Sequence, residues 1–347
     1  MERVLVTNCT RIRIRIVLLL FVGCLCCGIE QVAAQSIGDW QQKFGSSFSV
    51  PQTAIPLKTL GGKQFWTDDY HCGGWRIQQN VISETFRLLD PENKQHGSGA
   101  REDCLSKLEE FKRAGRIQPI SGRVVVVLHG LIRTTDSMRM LGQYLQENGD
   151  FTAVDFEYAS TRRPMADHAA ALARVIDSLG DSVTEINFVG HSMGNIVVRH
   201  YLADLAEQGG VEKRFGRMVM IGPPNQGSKM ARVLRWSLLF NVVAGSAGTQ
   251  LGIGWPKLEP QLATPSFEFG IIAGGQADGK KFSNLLLEGK DDFTVSLDEA
   301  RLNGATDFLV EPLFHSTMMR QPVTLESTLR FLNHGYFVSA QERNPIR

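Results

Sequence analysis

The chain has 347 residues, 43% apolar and 21% charged, with 34 glycines and a formal net charge of +1 at pH 7. That balance excludes a disordered or fibrous chain and fits a globular protein with a large buried core. With so little net charge and no basic stripe, nothing electrostatic calls for nucleic acid or an anionic membrane surface as a partner.

In chain order, the first segment reads as targeting rather than fold. Arg11, Arg13 and Arg15 precede an apolar run from Ile16 to Cys27, and Val32-Ala33-Ala34 supplies small residues before Gln35. This predicts a signal peptide over residues 1–34 and an exported protein, extracellular or periplasmic. The run is too short for a comfortable membrane span, and no other stretch is long and charge-free enough to be one. A retained N-terminal anchor and acylation at Cys24 are the alternatives. Of six cysteines, only Cys72 and Cys104 lie beyond the signal. Two cysteines outside the cytoplasm usually pair, so a Cys72–Cys104 bridge is expected, with two buried thiols as the alternative. On the chain-entropy model such a bridge stabilises by about 3–4 kcal/mol. No C-x-x-C or H-x-x-x-H spacing accompanies these cysteines, and no metal site is expected.

Residues 35–122 read as an irregular extension. It carries Trp40, Trp66 and Trp75, glycine pairs at Gly61-Gly62 and Gly73-Gly74, and one helical candidate from Cys104 to Ala114, with Leu105, Leu108 and Phe111 on one face. Its aromatics either pack the segment onto the following domain or line one wall of a substrate cleft; sequence does not separate the two.

Regular periodicity begins at Arg123. Val124 to Leu128 is an unbroken run of the kind found in a strand buried on both faces of a parallel sheet, and it ends in His129-Gly130-Leu131. A helix follows from near Thr135 to Gly149, then a strand over Phe151–Tyr158, and a helix from Met165 to Gly180. Further strands are predicted at Glu185–Val189, Arg217–Ile221, Phe269–Ala273 and Asp307–Val310. Alternation of strand and helix predicts an α/β fold with a doubly wound, mostly parallel sheet over residues 123–338, followed by a tail, 339–347. Residues 229–268 form an insertion rich in apolar and small residues, among them Leu234, Trp236, Leu238, Leu239, Phe240, Val242 and Val243. It is either a mobile cap over the carboxyl end of the sheet or a buried helix completing the core.

The chemistry points to Gly190-His191-Ser192-Met193-Gly194. The strand before it turns into the helix that follows, Ile196 to Leu205, at Ser192. A serine at such a turn sits in strained backbone with its hydroxyl at the carboxyl end of the sheet, above a helix N-terminus whose N–H groups favour negative charge. The five-residue pattern alone is a weak signal in a glycine-rich chain; the strand-turn-helix context strengthens it.

Leu128-His129-Gly130, Gly190-His191-Ser192-Met193-Gly194, Gly222-Pro223-Pro224-Asn225-Gln226-Gly227-Ser228, Asp292 and His315, in that order, resemble the α/β-hydrolase superfamily. Within it the chain is most similar to bacterial lipases and esterases and to deacylases that act on lipid anchors. The resemblance covers roughly Arg123 to Phe337. It implies a triad: Ser192 as nucleophile, His315 as base and Asp292 as the carboxylate that orients the base, because a serine hydroxyl needs both to attack at neutral pH. The acid is the less defined member. Phe293 stands where the superfamily's turn usually has glycine, which leaves Asp291 and Asp278 as alternatives. By position the oxyanion N–H groups belong to Leu131 and Met193. The implied function is hydrolysis of carboxylic esters, lipid-like ones, through an acyl-enzyme with no cofactor and no metal. The partner is a small-molecule ester or lipid, with transient contact to a lipid surface; the oligomeric state is left open. Acyl transfer or peptide hydrolysis by the same residues, and an inactive fold that binds a lipid or partner, are the alternatives.

Overall fold

The computed structural model describes residues 60–234, 238–275, 291–292 and 294–347, with side chains described except at 60–61, 233–234 and 238–243. These residues belong to one compact unit, Thr59–Arg347. The expectations for residues 1–34, for Trp40, for Asp278 and for the glycine replacement at Phe293 lie outside the described residues, as do the side chains of Leu234, Trp236, Leu238, Leu239, Phe240, Val242 and Val243.

The described chain opens with a 3-10 turn, Leu60–Phe65, and then departs from expectation. Residues 66–99, read from sequence as irregular, form a four-stranded antiparallel meander: β1 (Trp66–Cys72), β2 (Trp75–Asn80), β3 (Phe86–Leu89) and β4 (Gln95–Gly99). The strands escape a period-two reading because both faces of β1 are covered, so its buried positions run consecutively through Thr67, Asp68 and Asp69. The first hairpin was nonetheless written in the sequence. Gly73 and Gly74, both at positive φ, join the paired residues Cys72 and Trp75 in a two-residue loop that only glycine, asparagine or aspartate makes readily.

Helix α1 (Arg101–Arg113) matches the helical candidate and starts three residues earlier. It closes a small separate core of Trp75, Ile77, Leu88, Leu108 and Ile117, so Trp75 packs within its own subdomain, its ring tilted against Phe111, rather than on the larger sheet. Cys72 and Cys104 sit in this same core as free, buried thiols. The expected bridge is therefore not made here. Both side chains act as small apolar fillers, and burial raises both pKa values, which disfavours the thiolate that forms a disulfide.

From residue 122 expectation and structure run together. A six-stranded, wholly parallel sheet has the order β10 (Asp307–Glu311), β9 (Phe269–Gly274), β8 (Phe215–Ile221), β7 (Val183–His191), β5 (Gly122–Leu128), β6 (Thr152–Phe156), and each strand coincides with a predicted one. In chain order the elements are β5 (Gly122–Leu128), α2 (Arg139–Asn148), β6 (Thr152–Phe156), α3 (Met165–Ser178), β7 (Val183–His191), α4 (Met193–Glu207) and β8 (Phe215–Ile221). The valine run of β5 is buried on both faces: Val124, Val126 and Leu128 face the core with α3 and α4, while Val125 and Val127 face the core with α2.

The insertion comes next, as α5 (Lys229–Leu234), α6 (Leu238–Leu251) and α7 (Trp255–Leu258). Its second half is core. Ala247, Leu251, Trp255 and Leu258 are buried in the main cluster. α6 breaks at Gly245, where φ is 63° and an added Cβ would come within 1.8 Å of the Thr161 carbonyl oxygen. That glycine serves a close backbone approach. The chain ends with β9 (Phe269–Gly274), α8 (Leu297–Ala300), β10 (Asp307–Glu311) and α9 (Pro322–His334). α9 has proline at its first position, lies against α2's side of the sheet, and stops at Gly335 in the left-handed conformation. Among the described residues no helix is long and apolar enough to cross a membrane.

Candidate active site

The turn from β7 to α4 brings Ser192 to φ 52° and ψ −120°, outside the regions ordinary residues prefer. Two constraints hold it there. The Ser192 N–H donates to the Ile221 carbonyl of β8 at 2.8 Å, and its own carbonyl accepts from the Asn195 N–H at 3.1 Å and from Asn195 Nδ2 at 3.0 Å. Gly194 lets α4 approach the end of β5, since an added Cβ would lie 2.8 Å from the carbonyl oxygens of Leu128 and His129.

His315 stands in the loop after β10, with Nε2 2.9 Å from Ser192 Oγ and Nδ1 2.7 Å from Asp292 Oδ2. The Nδ1 proton therefore faces the carboxylate, which leaves the Nε2 lone pair toward the hydroxyl. Asp292, 2% exposed, is fixed by its other oxygen: Oδ1 accepts the N–H groups of Thr294 and Val295 at 2.9 and 2.7 Å. Its carbonyl also accepts the His315 N–H at 3.0 Å, so acid and base are tied by backbone as well as side chain. Asp292, rather than its neighbour, reaches the imidazole; Asp291 instead forms a backbone bridge with Ser296.

Other histidines hold the frame. His191 is buried, and burial, with the His315 imidazole beside it, depresses its pKa well below the ordinary value, so it is neutral. Its Nε2 donates to the His315 carbonyl at 2.9 Å, which assigns the proton to that nitrogen and pins the backbone of the base. Sequence placed His191 beside the nucleophile without this role, because the bond spans 124 residues. His129 donates Nδ1 to the Gly130 carbonyl at 2.9 Å, stacks on Tyr158 at 4.1 Å between centroids, and accepts the Tyr158 hydroxyl at its carbonyl.

Leu131 and Met193 flank the nucleophile from two sides. Met193 begins α4, and the turn carrying Leu131 is close enough that a Cβ added at Gly130 would lie 3.1 Å from Ser192 Cβ. Among the described residues neither N–H makes a backbone hydrogen bond, so both remain available to an anion. The insertion also reaches this turn: a Cβ added at Gly248 of α6 would lie 3.3 Å from Leu131 Cδ2. Together Ser192, His315 and Asp292 form a hydroxyl backed by an imidazole and a fixed carboxylate. That arrangement is suited to acyl transfer through serine.

Comparison with known proteins agrees at the level of fold. Residues 100–261 match a family model described as a domain of unknown function (DUF7379). No curated protein matches the chain. Among solved structures, the propeptide form of Bacillus licheniformis lipase BlEst2 is similar at 18% identity and a TM-score of 0.50, over 66% of this chain and 53% of that one. Its mature form aligns at 19% identity and a TM-score of 0.47, over 62% and 94%. Phospholipase PlaB from Legionella pneumophila aligns at 17% identity and a TM-score of 0.46, over 61% and 59%.

Proposed function

We propose that this chain, which has the α/β-hydrolase fold, is a serine hydrolase of carboxylic esters. The observation that carries the reading is the continuous chain of contacts from Ser192 Oγ through His315 to Asp292. In the proposed reaction Ser192 Oγ attacks the ester carbonyl carbon while His315 Nε2 takes the hydroxyl proton. The carbonyl oxygen becomes an anion, met by the N–H groups of Leu131 and Met193. Collapse breaks the bond to the alcohol, which leaves with the proton from His315 as an acyl-serine forms. Water, deprotonated by the same nitrogen, then releases the acid and restores Ser192.

The substrate reading is an ester with a long acyl chain. It is supported by the apolar composition of residues 229–268 and by the contact of α6 with the Leu131 turn. Each methylene transferred from water contributes up to about 0.8 kcal/mol, so kcat/KM should climb severalfold per added pair of carbons until the groove is filled. We also place the mature protein outside the cytoplasm, on the signal-like character of residues 1–34; intact mass after secretion should lack those 34 residues.

The deciding experiment is fluorophosphonate labelling of the purified protein, with the modified peptide mapped by mass spectrometry. Ser192→Ala should abolish both labelling and hydrolysis of p-nitrophenyl esters while the protein remains folded. Full turnover by the folded variant sinks the assignment. A wild type that prefers acetate and declines steadily with longer chains sinks the lipid substrate alone.

A further inference from the structure

The loop after β5 carries the Leu131 N–H, and its backbone is strained. Ile132, the next residue, has φ 57°, in the left-handed region where a β-branched side chain crowds its own backbone. Such a conformation persists only when surrounding groups over-determine it, and it marks functional sites more often than chance.

Those surrounding groups come in large part from the N-terminal sheet. Gln64, in the turn leading into β1, donates Nε2 to the Arg133 carbonyl. Its Oε1 accepts the Ser160 hydroxyl at 3.3 Å, and Ser160 Oγ accepts the Ile132 N–H at 3.1 Å. The strained residue is thus bound on one side by Ser160, and the carbonyl after it by Gln64. Further along the loop, Glu157 Oε2 accepts the Thr135 N–H and hydroxyl at 3.2 and 2.8 Å, while Oε1 lies 3.2 Å from His129 Nε2, the residue before the loop. Glu157 is in turn held by β1: its N–H donates to Asp68 Oδ2 at 2.7 Å, and the Asp68 N–H donates to its carbonyl at 2.9 Å. Gln64, Asp68, Glu157 and Ser160 are all at most 5% exposed. Bonds between groups withdrawn from water are costly to leave unmade, so this network determines the path of the loop.

We propose that Gln64 and Glu157 are positioning residues for the Leu131 N–H, and that the N-terminal sheet thereby completes the oxyanion site. The inference rests on Ser192 being the nucleophile. Released from Gln64, Ile132 relaxes toward negative φ, which rotates the chain on one side of that bond against the other and carries the Leu131 N–H away from the developing charge. A donor displaced by about 1 Å is enough for a large loss of rate. Ground-state binding of the ester, which does not depend on that donor, is kept.

The test is Gln64→Met, which keeps the volume and removes all three side-chain hydrogen bonds of Gln64, to Arg133, Ser160 and Thr161. Turnover of a p-nitrophenyl ester, referred to sites counted by complete fluorophosphonate labelling, should fall by about 10- to 100-fold in kcat, with KM changed less than about threefold. The rate of labelling should fall in parallel, and the Ki of a boronic acid that forms a tetrahedral adduct on Ser192 should rise by a similar factor. A merely structural role would lower the number of labelled sites and leave kcat per site unchanged; that result overturns the proposal, as does a loss confined to KM. Should Gln64→Met not fold, Ser160→Ala removes a single hydroxyl from the same network and is read by the same measurements. Absence of labelling at Ser192 in the wild type removes the nucleophile, and the proposal with it. Labelling at Ser192 together with full turnover by the folded variants removes the positioning role alone.

Discussion

Asp292 illustrates how much a single carboxylate depends on its surroundings. Three N–H groups converge on its two oxygens, from Thr294, Val295 and His315. An amide at this position keeps the size but presents NH2 or C=O to the imidazole without preference for the tautomer that catalysis needs. Asp292→Asn should therefore lower kcat by about 10³–10⁴-fold with little change in KM, while Asp291→Asn should cost far less. Steady-state kinetics on both variants decides it, and a reversed ranking would move the acid by one residue. Ser192 and His315 were legible because their motifs are local: five residues around one, a short loop after a strand for the other. His191 and Gln64 were not, since each acts on a residue far along the chain, His315 in one case and Arg133 in the other.

The junction of β7 and α4 is the element on which the site depends. Its sharp turn works only if the first turn of the helix can press against β5, which Gly194 permits. Gly194→Ala adds a methyl that meets two backbone carbonyl oxygens, and backbone gives way less readily than a side chain. The change should destabilise by about 1–3 kcal/mol and lower kcat severalfold beyond that, because a shift of α4 turns the Met193 N–H relative to Ser192 Oγ. Urea unfolding and kcat per labelled site measure the two effects separately; unchanged values for both would contradict the close packing. The same scale explains what sequence missed in residues 66–99. β1 is polar and covered on both sides, and β4 is Gln-His-Gly-Ser-Gly, so neither shows the alternation of a half-exposed strand. Only the Gly73-Gly74 pair spoke for a hairpin. The insertion tells the opposite story: its apolar character was legible, yet the burial of Ala244, Ala247, Leu251, Trp255 and Leu258 follows from where the sheet places them.

The whole molecule carries a pH dependence in its buried titratable groups. Burial lowers the pKa of His71 and of His168 to about 3, and that of His191 well below 6.5. Each stays neutral in the fold but takes a proton when unfolded, so each loses stability as pH falls below 6.5. Asp68 and Asp155 act in the other direction. Burial raises the pKa of Asp68 from 3.8 to about 6 and that of Asp155 above its ordinary value, so protonation of either carboxyl favours the folded state. Near pH 5 the three histidines outweigh the two carboxyls by at least about one proton, which corresponds to a loss of at least about 1 kcal/mol per pH unit. Denaturant unfolding at pH 7.5, 6 and 5 should show this decline, and equal or greater stability at pH 5 would refute it.

What the sequence determined by itself is what neighbours along the chain dictate: the six strands of the parallel sheet, the helices α2, α3 and α4, the elbow at Ser192 and, as a candidate over Cys104–Ala114, most of α1. Apolar spacing and glycine placement act over a few residues, so they can be read without the fold. Tertiary structure decided the rest. The order β8-β9-β10 at one side of the sheet brings His315, with Asp292 behind it, to a serine 123 residues from the histidine. Packing of the N-terminal meander against the exit of β6 puts Gln64 and Asp68 beside a loop some 70 residues further on, and the same folding keeps Cys72 and Cys104 as apolar filling. Such contacts are set by which surfaces can be buried together, a property of the assembled sheet and helices that no local pattern records.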